Sequence, residues 1–225
     1  MGLKVMPAGE QDAARSVAIE KVAYGRNPIS HIIHPGPAAA ASDDADADAD
    51  ADAAREEALL KNLRADPESC LWIQAVDEDR IAQGQHGMVC FSMGYLWLSA
   101  PQPPPKRVWG PGSNPEACEL FFGEMTRKWF ERMGNRPHFY LKLLHTDPAH
   151  QRRGAASMLL QHFADVADSH GLESYLESTD EGRPLYEKFG YETVEVMVTD
   201  FSKWGGPDKF ENCLMLRKPK TGIKQ

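Results

Sequence analysis

The sequence predicts an α/β (α+β) domain built on a mixed sheet flanked by helices. Three observations point there. With 225 residues, 42% of them hydrophobic, the chain is long enough to bury one large core. Its apolar residues fall into short runs of strand length alternating with stretches of helical spacing. Its second half runs strand, helix, strand, helix, strand behind a front half rich in adjacent strands.

Leu3 to Pro7 reads as a first strand, and Glu10 to Tyr24 as a helix with Ala14, Val17, Ala18 and Val22 on one face. From Asn27 the pattern breaks into Pro28, Pro35, Gly36 and Pro37. An Ala/Asp repeat follows, so residues 35 to 54 read as a solvated low-complexity insertion of alternating charge. Arg55 to Arg64 resumes a helix, ended by Asp66-Pro67. Cys70 to Val76 and Ile81 to Leu98 read as strands around the turn Asp77 to Arg80. Residues 100 to 117 form a Pro-rich loop, and Cys118 to Met133 follows as a helix carrying Phe122, Met125, Trp129 and Met133 inward. Phe139 to Thr146 is a strand stopped by Asp147-Pro148, and Ala155 to Ser169 a helix with Leu159, Leu160, Phe163 and Val166 inward. Ser174 to Glu177, Glu192 to Val198 and Cys213 to Arg217 complete the strands, and Pro184 to Phe189 is a short helix closed by Gly190.

The formal charge is −8, and the acids of residues 43 to 52 alone contribute six of the 33, leaving 27 against 25 bases elsewhere. An acidic to near-neutral chain argues against a nucleic-acid partner, which needs clustered Lys and Arg. Cys70, Cys90, Cys118 and Cys213 lie far apart, with no zinc spacing, and read as reduced structural residues; no metal is expected. The alternating carboxylates also lack the Gly turn and terminal Glu of a calcium loop. No apolar run reaches the ~18 residues of a membrane span, and Met1 to Met6 lacks a signal-peptide core. A cytoplasmic protein with no membrane partner, monomer or homodimer, is the expectation.

The chemistry concentrates in residues 144 to 160, Leu-His-Thr-Asp-Pro-Ala-His-Gln-Arg-Arg-Gly-Ala-Ala-Ser-Met-Leu-Leu. Gln151 to Ala156 is a turn into a helix, with small residues where the helix begins. Such a turn aims several free backbone N–H groups at one spot, and the helix dipole adds about half a positive charge. Arg152 and Arg153 reinforce it, so a pyrophosphate is a natural guest.

Gln-x-x-Gly-x-Ala after a strand ending in Thr-x-Pro resembles the acetyl-CoA motif of the GNAT superfamily of N-acetyltransferases. Gly182-Arg183-Pro184-Leu185-Tyr186-Glu187-Lys188-Phe189-Gly190-Tyr191 resembles that family's closing helix. The likeness covers residues 139 to 198 most closely, within a single domain spanning 1 to 225. The form Leu-x-x-Leu-x-Thr-x-Pro, with Tyr-Leu-Glu-Ser and Gly-x-Pro-Leu-Tyr, resembles a fungal-type subgroup.

The resemblance implies a mostly antiparallel sheet with a splayed strand pair at the CoA site, and acetyl-CoA as cosubstrate without a metal. It implies that the backbone of Leu144, His145 and Thr146 pairs with the pantetheine arm. Gln151, Arg152, Arg153, Gly154, Ala155 and Ala156 would hold the pyrophosphate, with Ser157 adding a hydroxyl, and Tyr186 would protonate the departing thiolate. An alkylamine of pKa ~10.4 needs about 4.6 kcal/mol to lose its proton at pH 7, so a base matters. The acid that many relatives carry on the strand before the turn is Lys142 here. His145 is then the nearest candidate base, with Glu177, Glu119, Glu124 or a water relay as alternatives. Strict alternation places Tyr140, Lys142 and Leu144 on one face of that strand and Leu141, Leu143 and His145 on the other. The acceptor is expected over Tyr24 to His34, the loop after Leu98 and Phe201 to Phe210, with His31, His34, Trp97, Trp109 and Trp204 nearby. A small-molecule amine is the leading acceptor; a protein amine, or a noncatalytic acyl-CoA-binding domain, are the alternatives.

Overall fold

A computed structural model describes residues 2–25, 27–35, 45–110 and 112–220, the side chains of 45–50 excepted. Seven strands form one sheet in the order β1-β2-β3-β4-β5-β7-β6. They are β1 (Leu3–Pro7), β2 (Cys70–Asp77), β3 (Met88–Trp97), β4 (His138–Thr146), β5 (Ser174–Thr179), β6 (Glu192–Thr199) and β7 (Phe210–Arg217). Every neighbouring pair is antiparallel except β4 and β5. That parallel pair requires a crossover, which helix α7 (Ala155–Ser169) supplies.

One face of the sheet is covered by α7, whose Leu159, Leu160 and Phe163 pack on Ile73, Val89, Phe139, Leu141 and Leu176. On the other face, α1 (Ala13–Tyr24) and α3 (Ala45–Ala65) bring Val17, Ile19 and Leu59 onto Trp72, Met88, Phe91 and Met93. Beside them α2 (Ser30–Ile33) and the helical segment Pro115–Met133 bury Ile32, Ile33, Phe121, Trp129 and Met133 against Tyr175 and Leu214. Each such side chain contributes roughly 1.5–3 kcal/mol of transfer free energy. Short α4 (Glu78–Ala82) follows β2, and α8 (Arg183–Lys188) follows β5.

Several elements differ from expectation for identifiable reasons. Helix α3 starts at Ala45, inside the Ala/Asp repeat, rather than at Arg55. Alanine is the strongest helix former, and Lys21 and Arg55 tie the helix to α1 through Asp52 and Glu20. Residues 36–44 of the expected insertion lie outside the described residues. Ile81 belongs to α4 rather than to a strand, because Asp77 Oδ1 caps the Asp79 amide at 3.0 Å. The helix expected from Cys118 begins at Pro115, where Asn114 Oδ1 caps Ala117. It comprises α5 (Pro115–Cys118), a π turn over Glu119–Gly123, and α6 (Glu124–Met133).

The far end of α7 is clamped. Arg217, on β7, holds Asp168 by two bonds of 2.8 and 2.6 Å and donates a third to the Phe189 carbonyl at 2.9 Å. Both side chains are almost fully buried, at 2% and 3% exposure. Such a forked, charge-assisted pair fixes orientation as well as distance.

Candidate active site

Strands β4 and β5 pair only at Phe139–Leu141 and Ser174–Leu176, and then part. Beyond that point Leu143 to Thr146 keep their partners on β3, while Glu177 to Thr179 keep theirs on β7. A wedge opens between the two strands. Its β4 wall carries backbone groups that no neighbouring strand takes, at the expected positions Leu144, His145 and Thr146. An extended amide-bearing chain can add itself there as a strand would.

The turn after β4 is braced from below. Arg15 reaches Asp147 at 2.7 Å and the Met88 carbonyl at 3.1 Å, and Asp147 Oδ1 accepts from the Ala149 amide. Arg152 and Gly154 take left-handed conformations, φ 62° and 87°. Met158 is the first residue of α7 to bond back, to the Gly154 carbonyl at 3.0 Å. The amides of Ala155, Ala156 and Ser157 therefore lack helical acceptors, and Gly154 offers no capping side chain. A Cβ on Gly154 would meet no protein atom within 4 Å, so space is open where an anion would approach these amides. That arrangement fits a pyrophosphate. The two arginines differ in role. Arg153 is engaged with Asp77 at 2.7 Å and with His150 Nδ1 at 3.1 Å, and holds the Asp77 carboxyl below its usual value. Arg152 has no ion pair among the described residues.

Tyr186, on α8, is half-buried, with its ring 6.0 Å from that of Tyr191. Its hydroxyl has no hydrogen-bond partner among the described residues, and burial raises its pKa well above the usual phenol value, so it keeps its proton. His145 lies 4.9 Å from the Tyr24 ring and 5.4 Å from Phe91. Burial holds it below its usual pKa, hence neutral, and its Nε2 is buried without a partner among the described residues.

Strict alternation fails along β4. Met93 opposes Leu143 and Gly94 opposes Leu141, so Lys142 is an extra, bulged residue. Leu143 consequently joins Tyr140 on the α1 and α3 face, while Leu144 joins Leu141 under α7. His145, against Tyr24 and Phe91, shares the face of Tyr140. The Lys142 ammonium donates to Asn62 Oδ1 at 2.9 Å and lies 5.4 Å from the centre of the Tyr95 ring. Burial pulls its pKa down to about 8.

Glu177 stands one residue past the last β4–β5 pair. Tyr140 donates to its Oε2 at 2.9 Å, and its Oε1 is buried without a hydrogen-bond partner among the described residues. Burial pushes this carboxyl up to about 7, against the opposing pull of the Tyr140 bond. Tyr140 stacks on Trp129 at 5.2 Å and on Trp97 at 6.2 Å. The other candidate acids are committed elsewhere: Glu119 accepts from Trp109 Nε1, and Glu124 binds Arg127. Trp97, Trp109 and Trp204 do gather around one cluster, that of α2, α5 and α6.

The family model of the acetyltransferase (GNAT) family matches residues 39–191, more than half of the chain. The chain belongs to the GNAT family. It is thus an acyltransferase of a family that uses acetyl-CoA and acts on amine acceptors, small molecules or proteins. Solved GNAT structures share its fold. A histone acetyltransferase HPA2 and related acetyltransferase from Corynebacterium glutamicum aligns over 100% of both chains, with TM-score 0.61 and 17% identity. A mosquito arylalkylamine N-acetyltransferase like 5b aligns over 96% of this chain and 100% of its own, with TM-score 0.58 and 14% identity. PaiA N-acetyltransferase from Thermoplasma acidophilum, solved with coenzyme A, covers 97% and 99%, with TM-score 0.51 and 12% identity. No curated protein sequence matches the chain. Among the described residues of this GNAT chain no cluster of His, Cys, Asp or Glu could hold a metal, and no helix is long and apolar enough to cross a membrane.

Tyr140 was not among the expected site residues. Its only signal is position: it lies on the strand before the turn, and Glu177 lies just past the end of the parallel pairing. The bulge that moves Leu143 and His145 leaves no mark in the residue pattern.

Proposed function

We propose that this protein is an N-acetyltransferase that moves the acetyl group of acetyl-CoA to a primary amine of a small molecule by direct attack, with Glu177 as base and Tyr186 as acid. Acetyl-CoA supplies an activated thioester. The pantetheine arm lies along Leu144, His145 and Thr146. Gln151 opens the turn, and the pyrophosphate sits on the amides from Arg152 to Ala156, with the Ser157 hydroxyl beside it and Arg152, without an ion pair among the described residues, as the nearby cation.

The observation that carries the base assignment is the unpartnered, buried Oε1 of Glu177 beside the Tyr140 bond, at the point where the strands part. A carboxyl titrating near neutrality takes a proton from an ammonium and releases it again at working pH. His145, held neutral below its usual value, is the weaker base; its free Nε2 suits it to accept a hydrogen bond in a relay. Tyr186 remains protonated and hands its proton, or a hydrogen bond, to the sulfur as it leaves.

Incubation with acetyl-CoA and a panel of amines, following free thiol, tests the reading. Thiol release dependent on the amine supports transfer. CoA binding without release on any amine, small or peptide, would make this a noncatalytic acyl-CoA-binding domain. A cytoplasmic location and a fungal-type placement belong to the same proposal, supported respectively by four free buried cysteines and by the Gly-x-Pro-Leu-Tyr form.

A further inference from the structure

The loop between β3 and α5 carries Pro101, Pro103, Pro104 and Pro105 and then places Arg107 beside the aromatic side of the cleft. The Arg107 guanidinium lies 5.6 Å from the centre of the Trp109 ring and 5.9 Å from that of Phe122. Trp109 is itself anchored, its Nε1 donating to Glu119 at 3.3 Å. Arg107 has no carboxylate partner among the described residues. Of the acids around it, Glu116 pairs with Lys203 and Glu124 with Arg127, while Glu119 is turned to the Trp109 Nε1–H and makes no ion pair with Arg107. Its charge reaches the reaction centre, where it favours the ionised form of Glu177 and opposes the charge on Lys142.

Lys142 is the second cation on this side, bonded to the neutral Asn62 and to no carboxylate among the described residues. Arg55, nearby, is matched by Glu20 through bonds of 3.0 and 2.7 Å. Arg107 and Lys142 are thus two cations on the acceptor side that make no ion pair with a carboxylate among the described residues.

We infer that the acceptor is a small amine that also carries a carboxylate, an amino-acid-type molecule, with Arg107 on its carboxylate and its amine delivered to Glu177. This inference rests on the transferase reading of the same site. A guanidinium stacked on aromatic rings keeps its N–H edge free for a carboxylate, and that forked geometry is specific. Polycationic amines would meet Arg107 and Lys142 with like charge.

Matched pairs that differ only in the carboxylate provide the test. The CoA-loaded protein is titrated with N-acetylphenylalanine and with N-acetylphenethylamine, followed by calorimetry. The acid is expected to bind at least about tenfold tighter, the scale of one charge-assisted hydrogen bond. Arg107→Gln should shrink that ratio to about threefold or less, and Arg107→Lys should restore part of it. Equal binding of the two compounds, or a ratio that survives Arg107→Gln, overturns the inference. Because the readout is binding, a protein that never releases thiol defeats the transferase reading while leaving the anion subsite separately decided.

Discussion

Tyr140, within the paired stretch of β4, donates at 2.9 Å to Glu177, one strand position beyond the last residue of β5 that pairs with β4. The bond lies at the narrow end of the wedge and partly offsets the burial that raises the Glu177 carboxyl.

That acidity predicts the pH profile. Below about 7 Glu177 holds a proton and cannot accept another, so kcat/KM should rise with pH through that value. Tyr140→Phe removes a bond that stabilises the ionised carboxylate, so the rising limb should move to higher pH. Glu177→Gln should lower kcat/KM on the order of 10²–10⁴-fold. A Gln variant with the wild-type profile would assign the limb to another group.

Tyr186→Phe should lower kcat on the order of 10²-fold, with little change in acetyl-CoA affinity, since only the proton donor is lost. Steady-state kinetics and CoA titration on the same variant separate the two effects. Unchanged turnover removes Tyr186 from the acid role.

Gly154→Ala puts a side chain where φ is 87° and the space is open. The backbone strain alone should cost about 1–2 kcal/mol of stability. The new methyl group also enters the space before the α7 amides, so CoA should bind at least about tenfold more weakly, measured by the rise in melting temperature on adding CoA. Full CoA affinity in this variant would move the pyrophosphate off that turn.

Asp168→Ala leaves Arg217 buried and unpaired, a loss of about 3–5 kcal/mol in urea unfolding at pH 7. Burial raises the Asp168 carboxyl, but the Arg217 bonds outweigh it and the net shift is downward. A depressed carboxyl stabilises the fold above its unfolded pKa of ~3.9 and loses that contribution as pH falls through the folded value. The wild type should therefore lose this term only in strong acid, and the variant should lack it at every pH.

Much of the site was legible because it is local. The strand ending at Thr146, the turn, the helix Ala155–Ser169 and the Tyr186 helix each follow from short-range periodicity and turn chemistry, and all stand within one or two residues of their expected bounds. The Lys142 bulge was not legible, because one additional residue in a strand alters no composition and is set by what β3 presents opposite it. The start of α3 was hidden for another reason. An Ala/Asp repeat balances good helix propensity against charge repulsion, and the Lys21 and Arg55 pairs that tip the balance join α3 to another helix. Arg107 escaped because its neighbour Phe122 belongs to a different element and only the folded loop brings them together.

The clamp at Asp168 and Arg217 gives α7 the mechanics of a pivoted rod. Fifteen residues make it about 22 Å long, so a rotation of about 5° at the clamp swings the opposite tip by about 2 Å. That exceeds the tolerance of a hydrogen bond. The aim of the Ala155, Ala156 and Ser157 amides is thus governed from the last strand in the chain, by a residue that grips the opposite end of the helix.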